Sequence, residues 1–421
     1  MIQLLAVLTG KIIEIVTRKL NIGGGSAAPG LYALKVDPDI VSKLGQKIPL
    51  NIVITGTNGK TTTSRLIAHF AKSAKYRVIR NQTGSNLERG IASALISGYG
   101  KKYDLGIWEL DEAAFNIVTP KLHPQVIVFL NAYRDQLDRY GEVDSVVNKW
   151  LETIKKIDKN TVLVINGDDV NTNKLSKAFK GQIIHFGLES NKLFGEGKSK
   201  EVKKLDVVAK NLNQNGLDSI MFDFKTASTT LPVKLNFPGF YNVYNALAAI
   251  IAVKSINIDY AKAIKDLTGF TPAFGRFEKV KINSKESYIF LIKNPTGATE
   301  VFKTISPHMR KNDTLLLALN DNFADGTDVS WIWDAEFERL KVQNMKVICS
   351  GQRAYDLAVR LKYAGFDAEK IVVEDSLKKA LKKATISQKG RLFILPTYTA
   401  MLDLQRILTN LGVKRNYWEE V

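Results

Sequence analysis

After an apolar run, LNIVIT at 50–55, the chain reads GTNGKTTT at 56–63 and then takes on helical spacing. Gly56 and Gly59 allow backbone amides to come close to phosphate oxygens at a helix N-terminus. Lys60 brings a point charge to the β- and γ-phosphates, and the Thr61 hydroxyl can reach Mg²⁺. Thr57, Asn58 and Thr62 complete the loop. The spacing is shorter than the general phosphate-loop pattern, but strand, Gly-rich turn, Lys-Thr and helix follow in the right order. They point to binding of ATP or a relative.

A second stretch, LALNDNFADGTDVSWIWDAEFE at 317–338, starts as a strand and then crowds Asp321, Asp325, Asp328 and Asp334 beside Trp331 and Trp333. On its own it reads as a solvated turn running into an amphipathic helix near Ser330. Nucleophile chemistry is thin elsewhere. The one cysteine, Cys349, sits in the apolar run KVICSG and reads as a buried structural thiol. It excludes an internal disulfide framework or a Cys-based zinc site and suits a reducing cytoplasm. The four histidines, at 69, 123, 185 and 308, have no nucleophile pattern around them.

These residues need a frame, and 421 residues suggest two or three domains. Apolar runs at 50–55, 104–110, 125–131, 161–166 and 182–187 alternate with helical patterns such as 61–74 and 145–157. That alternation predicts an α/β fold with a mostly parallel sheet covered on both faces. Residues 190–236 loosen into short Lys- and Asn-rich strands, a small antiparallel appendage. A second alternating unit has strands at 288–292, 314–320, 346–351, 370–375 and 391–397. Its helix at 353–365 places Leu357, Ala358 and Leu361 on one face, before a Gly C-cap. The division expected is a helical segment and Gly-rich linker at 1–48, a central ATP-binding domain at 49–268 and a Rossmann-like C-terminal domain at 269–421.

The net charge of +18 favours anionic partners. Lysines gather at 192–210 and 378–389, yet no aromatic-plus-basic nucleic-acid module accompanies them, so nucleic acid is not expected. The first residues, MIQLLAVLTGKIIEIVTRKL, are too short and too charged to span a bilayer and lack the leading positive charges of a signal peptide. They read as an amphipathic helix, packed on the body or resting on a membrane face. The expected location is cytoplasmic, peripheral at the inner membrane face in the second case.

TGTNGKTTT resembles the phosphate loop of the Mur ligases and folylpolyglutamate synthases, which activate a carboxylate as an acyl phosphate and then add an amine. More of that pattern follows in order. WELDEAAF (108–115) resembles the segment whose Glu holds Mg²⁺, which implies that role for Glu109, ahead of Asp111 and Glu112. FPGFYNVYNALAA (237–249) is similar to a Gly-x-His-Asn-x-x-Asn element, with Tyr241 replacing the His. The resemblance implies that Asn242 touches adenine while Asn245 caps or packs. FGRFE (274–278) supplies Arg276 for the γ-phosphate, and KNP (293–295) matches a His-Asn-Pro with Lys293 replacing the His.

The departures select a branch. Where ordinary Mur ligases carry Asp-His-Leu-Asp and a carbamylated lysine, this chain has NAYRDQLDRYGE (131–142), with Gln136 at the His position and Lys149 one place off. Lys149 is given no role. Only about 48 residues precede the phosphate-loop strand, so the nucleotide-sugar domain of those ligases is expected to be missing. With LNDNFADGTDVSWIWD, SGQRAYDLAVRLKYAG and LPTYTAML, the whole chain resembles the MurT family. Many of its members carry a four-cysteine zinc ribbon, which a single cysteine cannot build.

The resemblance implies an ATP- and Mg²⁺-dependent ligase of peptidoglycan biosynthesis that amidates the D-glutamate of lipid II to D-isoglutamine. It also implies a heterodimer with a GatD-type class I glutamine amidotransferase. Asp328, or second Asp325, would complete that partner's Cys–His pair by orienting the histidine. The need for a partner follows from the residues too. Releasing ammonia from glutamine usually takes an activated Cys beside a His, and none is evident here. The alternatives are an amino-acid-adding Mur ligase or folylpolyglutamate synthase-like enzyme, and a non-catalytic nucleotide-gated scaffold.

Overall fold

Strand β1 (Leu50–Thr55) shows why the sheet is buried on both sides. Ile52 and Ile54 enter one apolar core, whereas Val53, between them, enters another. A parallel strand covered twice has no polar face, hence the unbroken apolar runs. The structure is a computed structural model, and it describes residues 1–19, 27–81, 85–133, 143–189, 205–272, 275–342, 345–386 and 389–414. Gln136, and residues 190–204 of the expected appendage, fall outside them.

The first sheet has nine strands in the order β2-β3-β1-β4-β5-β6-β7-β8-β9. The six strands that follow β1 in the chain are β2 (Val78–Arg80), β3 (Leu105–Glu109), β4 (Val126–Phe129), β5 (Val162–Asn166), β6 (Ile183–Leu188) and β7 (Val207–Asn215). Pairings from β2 through to β7 are parallel, and β8 (Ser219–Lys225) and β9 (Thr230–Leu235) add on antiparallel. The described Lys- and Asn-rich strands, expected as a small antiparallel appendage, extend the edge of the same sheet. Their turn reaches the second unit: Leu217 is buried in its core, and Lys279 pairs with Asp218 at 2.9 Å.

Helices Lys60–Ser73 and Phe240–Lys254 cover one face of this sheet. Helices Ile2–Lys19, Ala28–Val36, Glu88–Ser97, Phe115–Leu122 and Val143–Ile154 lie on the other side.

The second sheet runs β10-β11-β15-β12-β13-β14. Its strands are β10 (Glu278–Ile282), β11 (Lys285–Ile289), β12 (Thr314–Ala318), β13 (Lys346–Ser350), β14 (Ile371–Val373) and β15 (Leu392–Pro396). Only β10–β11 is antiparallel. The hairpin turns on Asn283 and Ser284, whose φ values of 48° and 66° suit the two-residue turn that matches strand twist. The strand expected at 288–292 therefore begins earlier, at Lys285. Strand order doubles back at the parallel neighbours β12 and β15, and ligands and functional loops favour the crevice beyond such strand ends. Both the carboxylate-rich loop, leaving β12, and Thr397–Thr399, leaving β15, lie there.

Candidate active site

The phosphate loop leaves the carboxyl end of β1 and enters helix Lys60–Ser73. Gly56 and Gly59 have φ of 135° and 92°, and a Cβ on Gly59 would stand 2.2 Å from Asn245 Oδ1. Only glycine fits there. The loop is pinned to the segment after β4. Thr57 N and Asn58 N donate to Asn131 O and Oδ1 at 3.1 and 2.8 Å, and Thr57 Oγ1 accepts from Tyr133 N at 3.0 Å. Amides of a helix's first turn lack intrahelical acceptors, so this geometry offers them to an anion.

Lys60 Nζ lies over the loop, bonded to Gly56 O and Thr57 O, and pairs with Glu112 Oε2 at 3.2 Å. Glu109, at the end of β3, accepts from Thr61 Oγ1 at 2.9 Å and from the Ser64 hydroxyl. Its backbone is held by Asn81, whose Oδ1 accepts from Glu109 N at 3.0 Å and whose Nδ2 donates to Glu109 O at 2.9 Å. Carboxylate and hydroxyl oxygens are the hard donors that Mg²⁺ prefers. Neighbouring oxygens of an octahedron with about 2.1 Å bonds stand about 3 Å apart, so the Thr61–Glu109 pair fits that ion. Asp111 and Glu112 are less suited. Asp111 Oδ1 accepts from Ala113 N at 3.1 Å, and Glu112 faces Lys60.

Across from the loop stands the second unit. Asn58 and Asn294 form a reciprocal amide pair, at 3.3 and 3.1 Å, and Asn294 also caps helix Pro295–Ile305 through Gly297 N at 2.7 Å. Arg276 and Lys293 line the same cleft, of about 80 Å³, with Tyr133, Tyr241, Asn245 and Glu300. Burial pulls the Arg276 guanidinium down, opposed by the electrostatic influence of Glu109 and of Tyr241. Arg276 has no hydrogen bond or ion pair among the described residues. The Tyr133 hydroxyl is buried without a hydrogen-bond partner among the described residues, and burial pushes Glu300 up while Lys303 pulls it back.

The resemblance gave the adenine contact to Asn242. In the structure Asn242 Nδ2 is bonded to Pro238 O at 2.7 Å, and Asn245 lines the cleft. The two are three apart on one helix, so sequence spacing could not separate them. Ser64, one residue past the loop, and Asn81 and Asn294, which only the folded chain brings to it, were not singled out as site residues. Lys149 is exposed and lines a different cavity, of about 650 Å³, with His123 and Asn160. That cavity opens at the amino ends of β4 and β5, away from the phosphate loop.

Behind the cleft, Asp169 accepts from Thr172 N at 2.7 Å, and burial pushes its carboxyl up to about 6. The folded value lies above the unfolded one, so the folded chain holds this proton more tightly. Stability from this group is therefore lost as pH rises from about 4 to about 6. Asp169→Asn keeps an acceptor for Thr172 N and should remove a penalty of about 3 kcal/mol above that window. Melting curves should favour the variant increasingly between pH 4 and 7. A pH-independent difference would contradict the buried carboxylate.

In the second unit, Asp325 is buried and accepts from Thr399 N at 2.7 Å and Thr399 Oγ1 at 2.5 Å. Burial raises its carboxyl, and these bonds hold it back. Asp321 pairs with Arg353 at 3.2 Å. Asp328 is exposed, and its Oδ1 accepts from Ser330 N at 2.8 Å. The helix expected near Ser330 is a single 3-10 turn, Ser330–Trp333, in which Trp331 is partly buried and Trp333 exposed. Cys349 is buried, and its thiol is pushed up to about 12 by burial.

Comparison with known proteins bears on this geometry. The family profile described as Mur ligase middle domain matches residues 54–253, and that of the MurT ligase C-terminal domain matches 291–401. The MurT subunit of lipid II isoglutaminyl synthase (glutamine-hydrolyzing) from Staphylococcus aureus is 32% identical, covering 90% of this chain and 92% of the relative. The subunit of the same name from Streptococcus pneumoniae is 31% identical, with 98% of both chains covered. The chain belongs to the MurT family.

Solved structures give the fold of this MurT family member independently. MurF from Acinetobacter baumannii superposes with a TM-score of 0.71 at 19% identity, covering 91% of this chain and 80% of that one. Folylpolyglutamate synthase from Mycobacterium tuberculosis, complexed with ADP, gives 0.66 at 16%, covering 88% and 92%. The fold is that of the Mur ligases. No described helix is long and apolar enough to cross a membrane.

Proposed function

We propose that this chain is the synthetase subunit of a lipid II isoglutaminyl synthase, amidating the D-glutamate α-carboxylate of the stem peptide with ATP. The observation that carries the reading is the phosphate loop, whose Thr61 is bonded to Glu109, with Arg276 in the cleft that Asn58, Gly59 and Thr62 of the loop also line. The α-carboxylate oxygen attacks the γ-phosphorus, the bond to the β-phosphate oxygen breaks, and ADP leaves. Ammonia nitrogen then attacks the acyl carbon, phosphate departs and the amide remains. Lys60, Arg276 and the first-turn amides hold the phosphates where charge develops. Thr61 and Glu109 would hold Mg²⁺, which supplies further charge neutralisation when bound. Tyr133 and Asn245 suit the base better than Asn242. The cleft is smaller than the roughly 300–1,000 Å³ of most ligand sites, so nucleotide entry requires the Asn58–Asn294 pair to part.

A partner is supported by the second unit's surface. Tyr355, Val359 and Tyr363, spaced four apart on helix Ala354–Tyr363, are exposed, as is Trp333. The Trp333 and Tyr363 rings meet edge-on at 5.6 Å. Exposed aromatics in one patch mark protein interfaces. The exposed Asp328 lies on the same loop, which suits a GatD-type glutaminase whose histidine it would orient. Asp325, locked to Thr399, is the structural carboxylate.

The test is product mass. With ATP, Mg²⁺ and ammonium, the chain should convert lipid II to a product about 1 Da lighter, the change from hydroxyl to amino that amidation requires. ATP-dependent addition of a whole amino acid would replace this reading with the ligase alternative.

A further inference from the structure

Helix Ile2–Lys19 is turned the wrong way round for a helix facing water. Between residues 2 and 16 its only charged side chains are Lys11 and Glu14, and both point at the body. Lys11 Nζ donates to Ser97 O at 3.0 Å, and Glu14 Oε1 accepts from Ser97 Oγ at 2.9 Å. Ala6 and Val7 are buried, and Gly10 lies so close to Ile96 that a Cβ would stand 2.9 Å from its Cδ1. The outer face carries Leu4, Leu5, Leu8, Ile12, Ile15 and Val16, each between 42 and 59% exposed. A surface helix normally shows water its charges and the core its aliphatics.

We infer that this face is a membrane-binding surface, which rests the helix parallel to an anionic bilayer with its aliphatic row at the boundary of headgroups and acyl chains. The exposed apolar area is on the order of 600 Å², at or beyond the largest patch a monomeric protein usually carries. Its chemistry is aliphatic throughout, whereas protein interfaces concentrate Tyr, Trp and Arg; this chain's exposed aromatic patch is on the other unit. Helix Ala28–Val36 packs alongside and adds exposed Leu31 and Tyr32, with Lys35 Nζ 5.3 Å from the Tyr32 ring centre. Tyr rings and lysines of this kind settle at headgroup level.

Charge points the same way. Lys19 and Lys35 are exposed on these two helices, their one carboxylate, Glu14, is bound to Ser97, and the whole chain carries +18. Anionic headgroups complement that balance, and apolar area plus electrostatic attraction is what holds interfacial helices. The inference is strengthened by the lipid-linked substrate of the proposed function, but it stands on the helix itself.

The test uses the full chain with vesicles of phosphatidylglycerol mixed with phosphatidylcholine, and of phosphatidylcholine alone. Wild type should sediment with the anionic vesicles and far less with the neutral ones. Leu8→Glu/Ile12→Glu changes two exposed positions; it should keep the melting temperature and lower vesicle partition about tenfold or more. Lys19→Gln/Lys35→Gln should weaken the preference for anionic lipid. Turnover of a water-soluble, lipid-free substrate should be unchanged in L8E/I12E, while turnover of vesicle-embedded lipid II falls. No partition of wild type, or equal partition of wild type and L8E/I12E, would overturn the inference. So would a wild-type dimer that L8E/I12E converts to monomer, which assigns the face to a second copy. Vesicle binding without amidation would instead sink the enzymatic reading and leave this surface standing.

Discussion

A Lys60→Ala protein is expected to lose ATP-dependent turnover by about 10³-fold or more, the scale of removing a preorganised charge from a transferring group. Lys60 extends from the first turn of the helix over the loop that would hold the phosphates. The substitution has a second consequence. Glu112 is buried against Lys60 at 3.2 Å, and stripping a buried pair of one partner costs about 3–5 kcal/mol. Lost activity alone would therefore be ambiguous. Lys60→Met/Glu112→Gln keeps the side-chain volumes and leaves no unpaired charge. It should melt near wild type and remain as inactive as Lys60→Ala. Recovery of turnover in the double variant would mean that Lys60 serves the fold and not the phosphates.

Asp328→Asn is expected to remove glutamine-driven amidation while sparing complex formation. The Asn oxygen can still accept from Ser330 N, so the turn should persist; only the charge is lost. A carboxylate that orients a catalytic histidine and stabilises its charged form is worth about 10⁴ in rate in the serine-protease template. Glutamate release by the reconstituted pair should fall on that scale, with the two subunits still co-eluting. Asp325→Asn should behave differently. Both Asp325 oxygens accept from Thr399, and an amide presents a donor to one of those groups. Its signature is a lower melting temperature, with ammonium- and glutamine-driven rates affected together. Wild-type glutaminase rates in both variants would return the loop to a solvated turn.

Much of this architecture is legible in sequence because parallel strands buried twice leave uninterrupted apolar runs; Leu50–Thr55 and Thr314–Ala318 are examples. The phosphate loop is legible because glycines, lysine and threonine act within eight consecutive residues. What escapes is whatever the fold assembles from a distance. Asn294 meets Asn58 across 236 positions, and Thr399 meets Asp325 across 74. Val78–Arg80 is too short to leave a pattern, and Glu278–Ile282 alternates charge with apolar residues as an edge strand does. The choice between Asp325 and Asp328 illustrates the limit well. Their types and spacing are equivalent on paper, and only burial against Thr399 tells the buried carboxylate, Asp325, from the exposed one, Asp328.

Glutamine labelled with ¹⁵N in its amide, supplied with ATP, Mg²⁺ and lipid II, tests the central claim most directly. The chain alone should transfer no label and yield amidated product only when ammonium is added at high concentration. Addition of a GatD-type glutaminase should produce ¹⁵N-labelled D-isoglutamine in lipid II at the expense of ATP. Label transfer by the isolated chain, or ATP-dependent ligation of free glutamate to a folate, would contradict a synthetase subunit that takes its ammonia from a partner.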